Sequence, residues 1–123
     1  MADFPAVEAR LRSILDPYRD RLQPNDLYGV DTLKRPGGGA HDFFAGVRVG
    51  KRYVSYHLMP IYTLPDLVAN ISPELRKRMQ GKSCFNFTTV DEGLMTELEA
   101  LTKRSFAHFT SHAYPRQPQS TRR

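Results

Sequence analysis

A glycine–lysine pair, Gly50-Lys51, sits between two runs of alternating apolar residues at 42–49 and 52–62, and it restricts this chain more than any other feature. Strands joined by so short a link must pair antiparallel, because a parallel partner needs a crossover of a dozen residues or more. Glycine at the first of two loop positions suits a type II′ turn. That turn sets Val49 opposite Arg52, then Val47 opposite Val54 and Ala45 opposite Tyr56. Successive side chains point to opposite faces of a strand. One face therefore carries Phe43, Ala45, Val47, Val54, Tyr56 and Leu58; the other carries Phe44, Gly46, Arg48, Tyr53, Ser55, His57 and Met59. The first is the core face, and the second is half polar.

The remaining elements follow from spacing and punctuation. Over 4–22, Val7, Leu11, Ile14, Leu15, Tyr18 and Leu22 recur every three or four residues, which predicts a helix capped by Asp3 and kinked or restarted at Pro17. Pro24-Asn25-Asp26 ends it, 27–33 reads as a first strand, and Arg35-Pro36-Gly37-Gly38-Gly39 is a loop. Pro60 and Pro65 close the strand that leaves the hairpin, and Thr63-Leu64-Pro65-Asp66 starts a short helix to about Asn70. Ser72-Pro73-Glu74 starts another, with serine as N-cap, proline in the first helical position and Gly81 as C-cap. Residues 83–87 form a strand with Phe85 and Phe87 on one side and Cys84 and Asn86 on the other. Thr89-Val90-Asp91-Glu92 reads as a capping box before a long helix that buries Leu94, Met95, Leu98, Leu101, Phe106 and Phe109. The predicted order is α-β-β-β-α-α-β-α, an α+β fold with an antiparallel sheet covered by helices on one face. It occupies 1–113 as a single domain, and 114–123 reads as a disordered basic tail.

Composition narrows the setting. The only cysteine, Cys84, excludes an internal disulfide framework and suits a reducing, cytoplasmic compartment. No apolar run is long enough for a membrane helix, and Met1-Ala2-Asp3-Phe4-Pro5 lacks the features of a signal peptide. The net charge of +5 is not spread over the domain: residues 1–102 hold thirteen charges of each sign, and the excess lies in Lys103, Arg104, Arg116, Arg122 and Arg123. A basic balance concentrated near one end, without a recognisable module, does not predict nucleic-acid recognition.

Two long words in the chain resemble a known family. Gly50-Lys51-Arg52-Tyr53-Val54-Ser55-Tyr56-His57-Leu58-Met59-Pro60-Ile61-Tyr62 is one. The other is Ile71-Ser72-Pro73-Glu74-Leu75 followed by Arg78-Met79-Gln80-Gly81-Lys82-Ser83-Cys84-Phe85-Asn86-Phe87. From about residue 28 to the end of the last helix, the chain resembles the YdhG-like family, a domain of unknown function in the YjbR/CyaY-like, or frataxin-like, superfamily. The resemblance implies a small sandwich of helices on an antiparallel sheet, and through the superfamily an alternative role in binding iron for iron–sulfur cluster assembly. Frataxins place exposed carboxylates on the first helix and strand, which suits hard iron. Here Glu8, Asp16 and Asp20 alternate with Arg10, Arg12, Arg19 and Arg21, which weakens that expectation.

Candidate chemistry concentrates on the half-polar face. Ser55, His57, Cys84 and Asn86 gather there if the strand at 83–87 lies beside the hairpin, and a Cys/His contact would permit a thiolate nucleophile. No carboxylate is spaced to orient the histidine, so a packed thiol and a hydrogen-bonded histidine are the favoured reading. His108 and His112 share a helix face without a third ligand, and Gly37–Gly39 lacks the lysine and hydroxyl residue of a phosphate loop. Arg76-Lys77-Arg78 with Lys82 is a basic cluster that reads first as a solvated helix face and alternatively as the rim of an anion site. The predicted ligand-binding set is Arg48, Tyr53, Ser55, His57, Met59, Lys82, Cys84 and Asn86. The expected function is that of a non-enzymatic accessory module, a monomer or homodimer, binding a small molecule or a protein without a cofactor.

Overall fold

The computed structural model describes residues 3–111. In chain order it contains α1 (Phe4–Leu15), a 3-10 segment (Asp16–Arg21), β1 (Gln23–Leu27), β2 (Val30–Lys34), β3 (Phe43–Val49) and β4 (Val54–Leu58). It continues with α2 (Met59–Thr63), a 3-10 turn (Pro65–Val68), α3 (Pro73–Arg76), β5 (Met79–Gln80), β6 (Cys84–Phe87) and α4 (Glu92–Phe109). The strands make one antiparallel sheet in the order β1-β2-β3-β4-β6-β5. The α+β class is thus as the sequence implies. None of the described helices is long and apolar enough to cross a membrane. The expected tail at 114–123 and His112 lie outside the described residues.

Helix punctuation behaves largely as the residues dictate. Ala6 N donates to Asp3 Oδ1 at 3.1 Å, and Leu75 N donates to Ser72 Oγ at 3.1 Å. Pro17 does not prolong α1, and the chain tightens into the 3-10 segment from Asp16. The long helix opens two residues later than expected: Asp91, not Thr89, caps it by accepting from Leu94 N at 3.2 Å.

Four expectations are corrected. The first strand run is a hairpin, β1 and β2, closed by Tyr28 and Gly29 with φ of 53° and 81°. Both angles are left-handed, as a type I′ turn requires, and tyrosine at such a position gives no sequence warning. Gly50-Lys51 lies within a four-residue connection from Gly50 to Tyr53, so Val49 pairs with Val54 and Val47 with Tyr56. The shift is two residues, and because the side-chain period is two, the faces of β4 are unchanged. The strand ends at Leu58, and Pro60 enters α2, where its missing N–H costs nothing. Gly81, with φ of 74°, turns β5 into β6 and does not cap α3.

A bulge decides the faces of β3. Leu33 pairs with Ala45 but Lys34 pairs with Phe43, leaving Phe44 as an extra residue. Phe44 consequently joins the core, its ring centroid 5.7 Å from Tyr18, 5.1 Å from Phe106 and 5.3 Å from Phe109. Phe43, expected in the core face, pairs with Lys34 on the opposite face and stands outside the main core cluster. That core unites Val7, Leu11 and Ile14 of α1 and Leu98, Leu101 and Phe109 of α4 with Ala45, Val47, Val54, Tyr56, Leu58, Phe85 and Phe87 of the sheet. Tyr56 is fully buried and shares a 2.7 Å hydrogen bond with Thr102. Arg10 ties α1 to α4 through Glu92 at 3.1 Å and Glu99 at 2.9 Å.

Candidate functional site

The sheet face away from this core is built by register. Asn25, Thr32, Gly46, His57, Cys84 and Gln80 are successive cross-strand partners from β1 to β5. They form one lateral row across all six strands. Ser55 and Asn86 lie opposite one another in the row beside it, with Arg48 opposite Ser55 on the other side. Gly46 is required by close approach: a Cβ there would lie 2.5 Å from the Asp31 carbonyl oxygen and 2.8 Å from Thr32 Cγ2.

A hydrogen-bond network links the polar side chains. Ser55 Oγ donates to Asn86 Oδ1 at 2.8 Å, and the Cys84 thiol donates to the same oxygen at 3.4 Å. Asn86 Nδ2 donates to Gln80 Oε1, and Tyr53 donates its hydroxyl to that oxygen at 3.1 Å. Both amide oxygens therefore accept two donors each. Among the described residues two strong donors remain unengaged on this face, the Gln80 amino group and the Arg48 guanidinium. His57 Nε2 is buried and has no hydrogen-bond partner among the described residues.

Electrostatics keep the two reactive side chains neutral. Burial pushes the His57 pKa below its ordinary value, and the Arg48 charge lowers it further. Burial raises the Cys84 thiol, while the neighbouring Ser55 hydroxyl dipole and the Arg48 charge pull less strongly the other way. A thiolate is the nucleophilic form of cysteine, so this thiol is held in its unreactive form near neutrality. None of the described carboxylates forms an ion pair with Arg48. Beside the network lies a cleft of about 360 Å³ lined by Tyr53, Lys77, Arg78, Gln80, Asn86 and Thr88, again without a carboxylate.

Of the predicted residues, Tyr53, Ser55, Cys84 and Asn86 are brought together, with His57 directly across from Cys84 and Arg48 beside Ser55. Met59 begins α2, outside the strand expected to carry it, and Lys82 lines a separate cleft under α2. Lys77 and Arg78, from the basic cluster expected at the rim of an anion site, line this cleft, whereas Gln80 and Thr88 carry no signal in the expected site set. Reading Gly81 as the turn of a tight hairpin would have found Gln80, since Gln80 then alternates with Met79 as Cys84 does with Phe85.

The iron-binding alternative rests on α1 and the first strands. Glu8 pairs with Arg12 at 2.8 Å, Asp16 with Arg19 at 2.8 Å and Asp31 with Arg12 at 3.2 Å. Carboxylates neutralised in this way are poor ligands for hard iron. No group of three or more metal-ligating side chains occurs among the described residues. This donor set does not fit iron. In comparisons with known proteins, no family model, curated protein or solved structure matches the chain.

Proposed function

We propose that this chain is a non-enzymatic binding module whose polar sheet face, opposite the helices, takes a small acceptor-rich ligand, an anion in the simplest case. The supporting observation is the surplus of donors. Register assembles Tyr53, Ser55, Cys84, Asn86 and Gln80 into one network whose amide oxygens are already engaged, with His57 across from Cys84, flanked by Arg48, Lys77 and Arg78 and by no described carboxylate. A ligand with several acceptors pairs the Arg48 and Gln80 donors that otherwise face water. Binding is preferred over covalent catalysis because the Cys84 thiol is raised and His57 has no carboxylate to orient it. Membership of the YdhG-like family and a reducing, cytoplasmic setting belong to the same proposal. The family reading is supported by the helix-covered antiparallel sheet, the setting by one free thiol.

The test is a titration of the full chain with inorganic phosphate and with citrate, followed by amide chemical shifts. Saturable shifts at Ser55, His57 and Asn86, lost in Arg48→Ala and Asn86→Ala variants that melt normally, support the reading. If neither ion moves these amides at millimolar concentrations, or a protein partner covers the face instead, the small-ligand proposal fails.

A further inference from the structure

A second cleft, of about 890 Å³, lies between α2, the Pro65–Val68 turn and the β5–β6 connection, and only Met79 among its lining residues also borders the cleft beside Gln80. Ile61 and Val68 are buried beneath it, Met79 packs against the core from its edge, and Tyr62 stands 54% exposed at its mouth. Arg76 and Lys82 supply the charge. Both are exposed, neither pairs with a described carboxylate, and no acidic residue lines the cleft. The Arg76 guanidinium donates to the Val68 carbonyl, which holds the cation against the apolar floor. An adjoining cleft of about 760 Å³ differs in kind, because a carboxylate, Asp66, lines it together with Arg104.

An apolar floor, a half-exposed aromatic ring and two unopposed cations in a cavity of ligand size define one class of guest. We propose that this cleft binds an amphipathic monoanion of the medium-chain carboxylate type. The hydrocarbon lies on Ile61, Val68, Met79 and the Tyr62 ring, where leaving water is favourable. The carboxylate meets Lys82 and Arg76, whose fork of donors suits a planar bidentate acceptor. The site does not depend on the polar sheet face, and its occupant does not require it.

Decanoate, titrated below its micelle concentration into the full chain, provides the test, with decyltrimethylammonium as the same tail bearing the opposite charge. Calorimetry and amide shifts should show saturable decanoate binding that moves Tyr62, Met79 and Gly81. Decyltrimethylammonium should bind at least about tenfold more weakly, and Lys82→Met should weaken decanoate by about tenfold, the order expected for losing a charged hydrogen bond. Lys82 is exposed, so that variant should keep the wild-type melting temperature. Ser55→Ala should leave decanoate affinity unchanged while weakening any ligand of the polar face, which separates the two sites. Equal binding of the two ions, full affinity in Lys82→Met, absence of saturable binding, or loss of decanoate binding in Ser55→Ala would each overturn the proposal.

Discussion

Ser55 on β4 and Asn86 on β6, 31 residues apart in the chain, lie directly opposite one another and share a 2.8 Å hydrogen bond. Backbone pairing of β4 with β6 sets this contact, and the bond joins the polar side chains of the two strands across the sheet. One residue further along each strand, the side chains point into the core: Tyr56 faces Phe85, and Val54 faces Phe87. Adjacent residues thus divide between packing and chemistry.

Leu58 and His57 should separate those roles. Leu58 is fully buried, so Leu58→Ala is expected to cost about 2–5 kcal/mol through lost transfer energy and a residual cavity. His57→Ala should cost well under half of that, since its Nε2 has no partner to lose. Denaturant melts of the two variants decide the matter. Equal destabilisation would make His57 a packing residue.

Acid should destabilise the fold through His57. Its folded pKa lies below the ordinary 6.5, so the unfolded chain binds the proton more readily. The stability of the neutral buried ring is complete above about pH 6.5 and is lost as pH falls from there through the lower folded value. The melting temperature of the wild type should therefore drop more than that of His57→Gln across this window. Identical pH profiles would show that the ring titrates normally.

Cys84 should react slowly. With its thiol raised by burial, alkylation by iodoacetamide at pH 7.5 should lag well behind that of a free thiol and recover on unfolding in urea. A rate matching the free thiol would revive the nucleophile reading.

The bulge and the close strand approach predict two further costs. Phe44→Ala should destabilise by about 3–5 kcal/mol, because three aromatic rings pack on that side chain. Gly46→Ala should cost about 1–3 kcal/mol, because its Cβ meets the Asp31 carbonyl oxygen, which cannot rotate away. Thermal and urea melts check both, and a wild-type melt for Phe44→Ala would place that ring on the polar face.

Ferrous iron, titrated anaerobically, should produce no tight stoichiometric site, since Arg12 and Arg19 already neutralise Glu8, Asp31 and Asp16. A stoichiometric heat signal abolished by Asp16→Ala with Asp20→Ala would restore the frataxin-like role.

What the residues determined alone are the features that depend on local physics. The α1 stripe, the Asp3 and Ser72 caps, the break at Pro17 and the alternation through β4 and β6 need only helical or strand periodicity and a hydrogen-bonding side chain at the right offset. The face assignment in β4 survived a register two residues off, because an even shift leaves alternation intact. Other features were settled by contacts between distant segments. The bulge at Phe44 exists because β2 pairs with β3 in two registers, and the aromatic pocket of Tyr18, Phe106 and Phe109 accepts the displaced ring. The left-handed Tyr28 is tolerated because β1 finds β2 in the register that a two-residue turn imposes. The meeting of His57 with Cys84 and the recruitment of Gln80 depend on strand order, and strand order is a property of the whole sheet. Alternation tells each strand which face to bury; only the packing of that face against α1 and α4 selects which strands become neighbours.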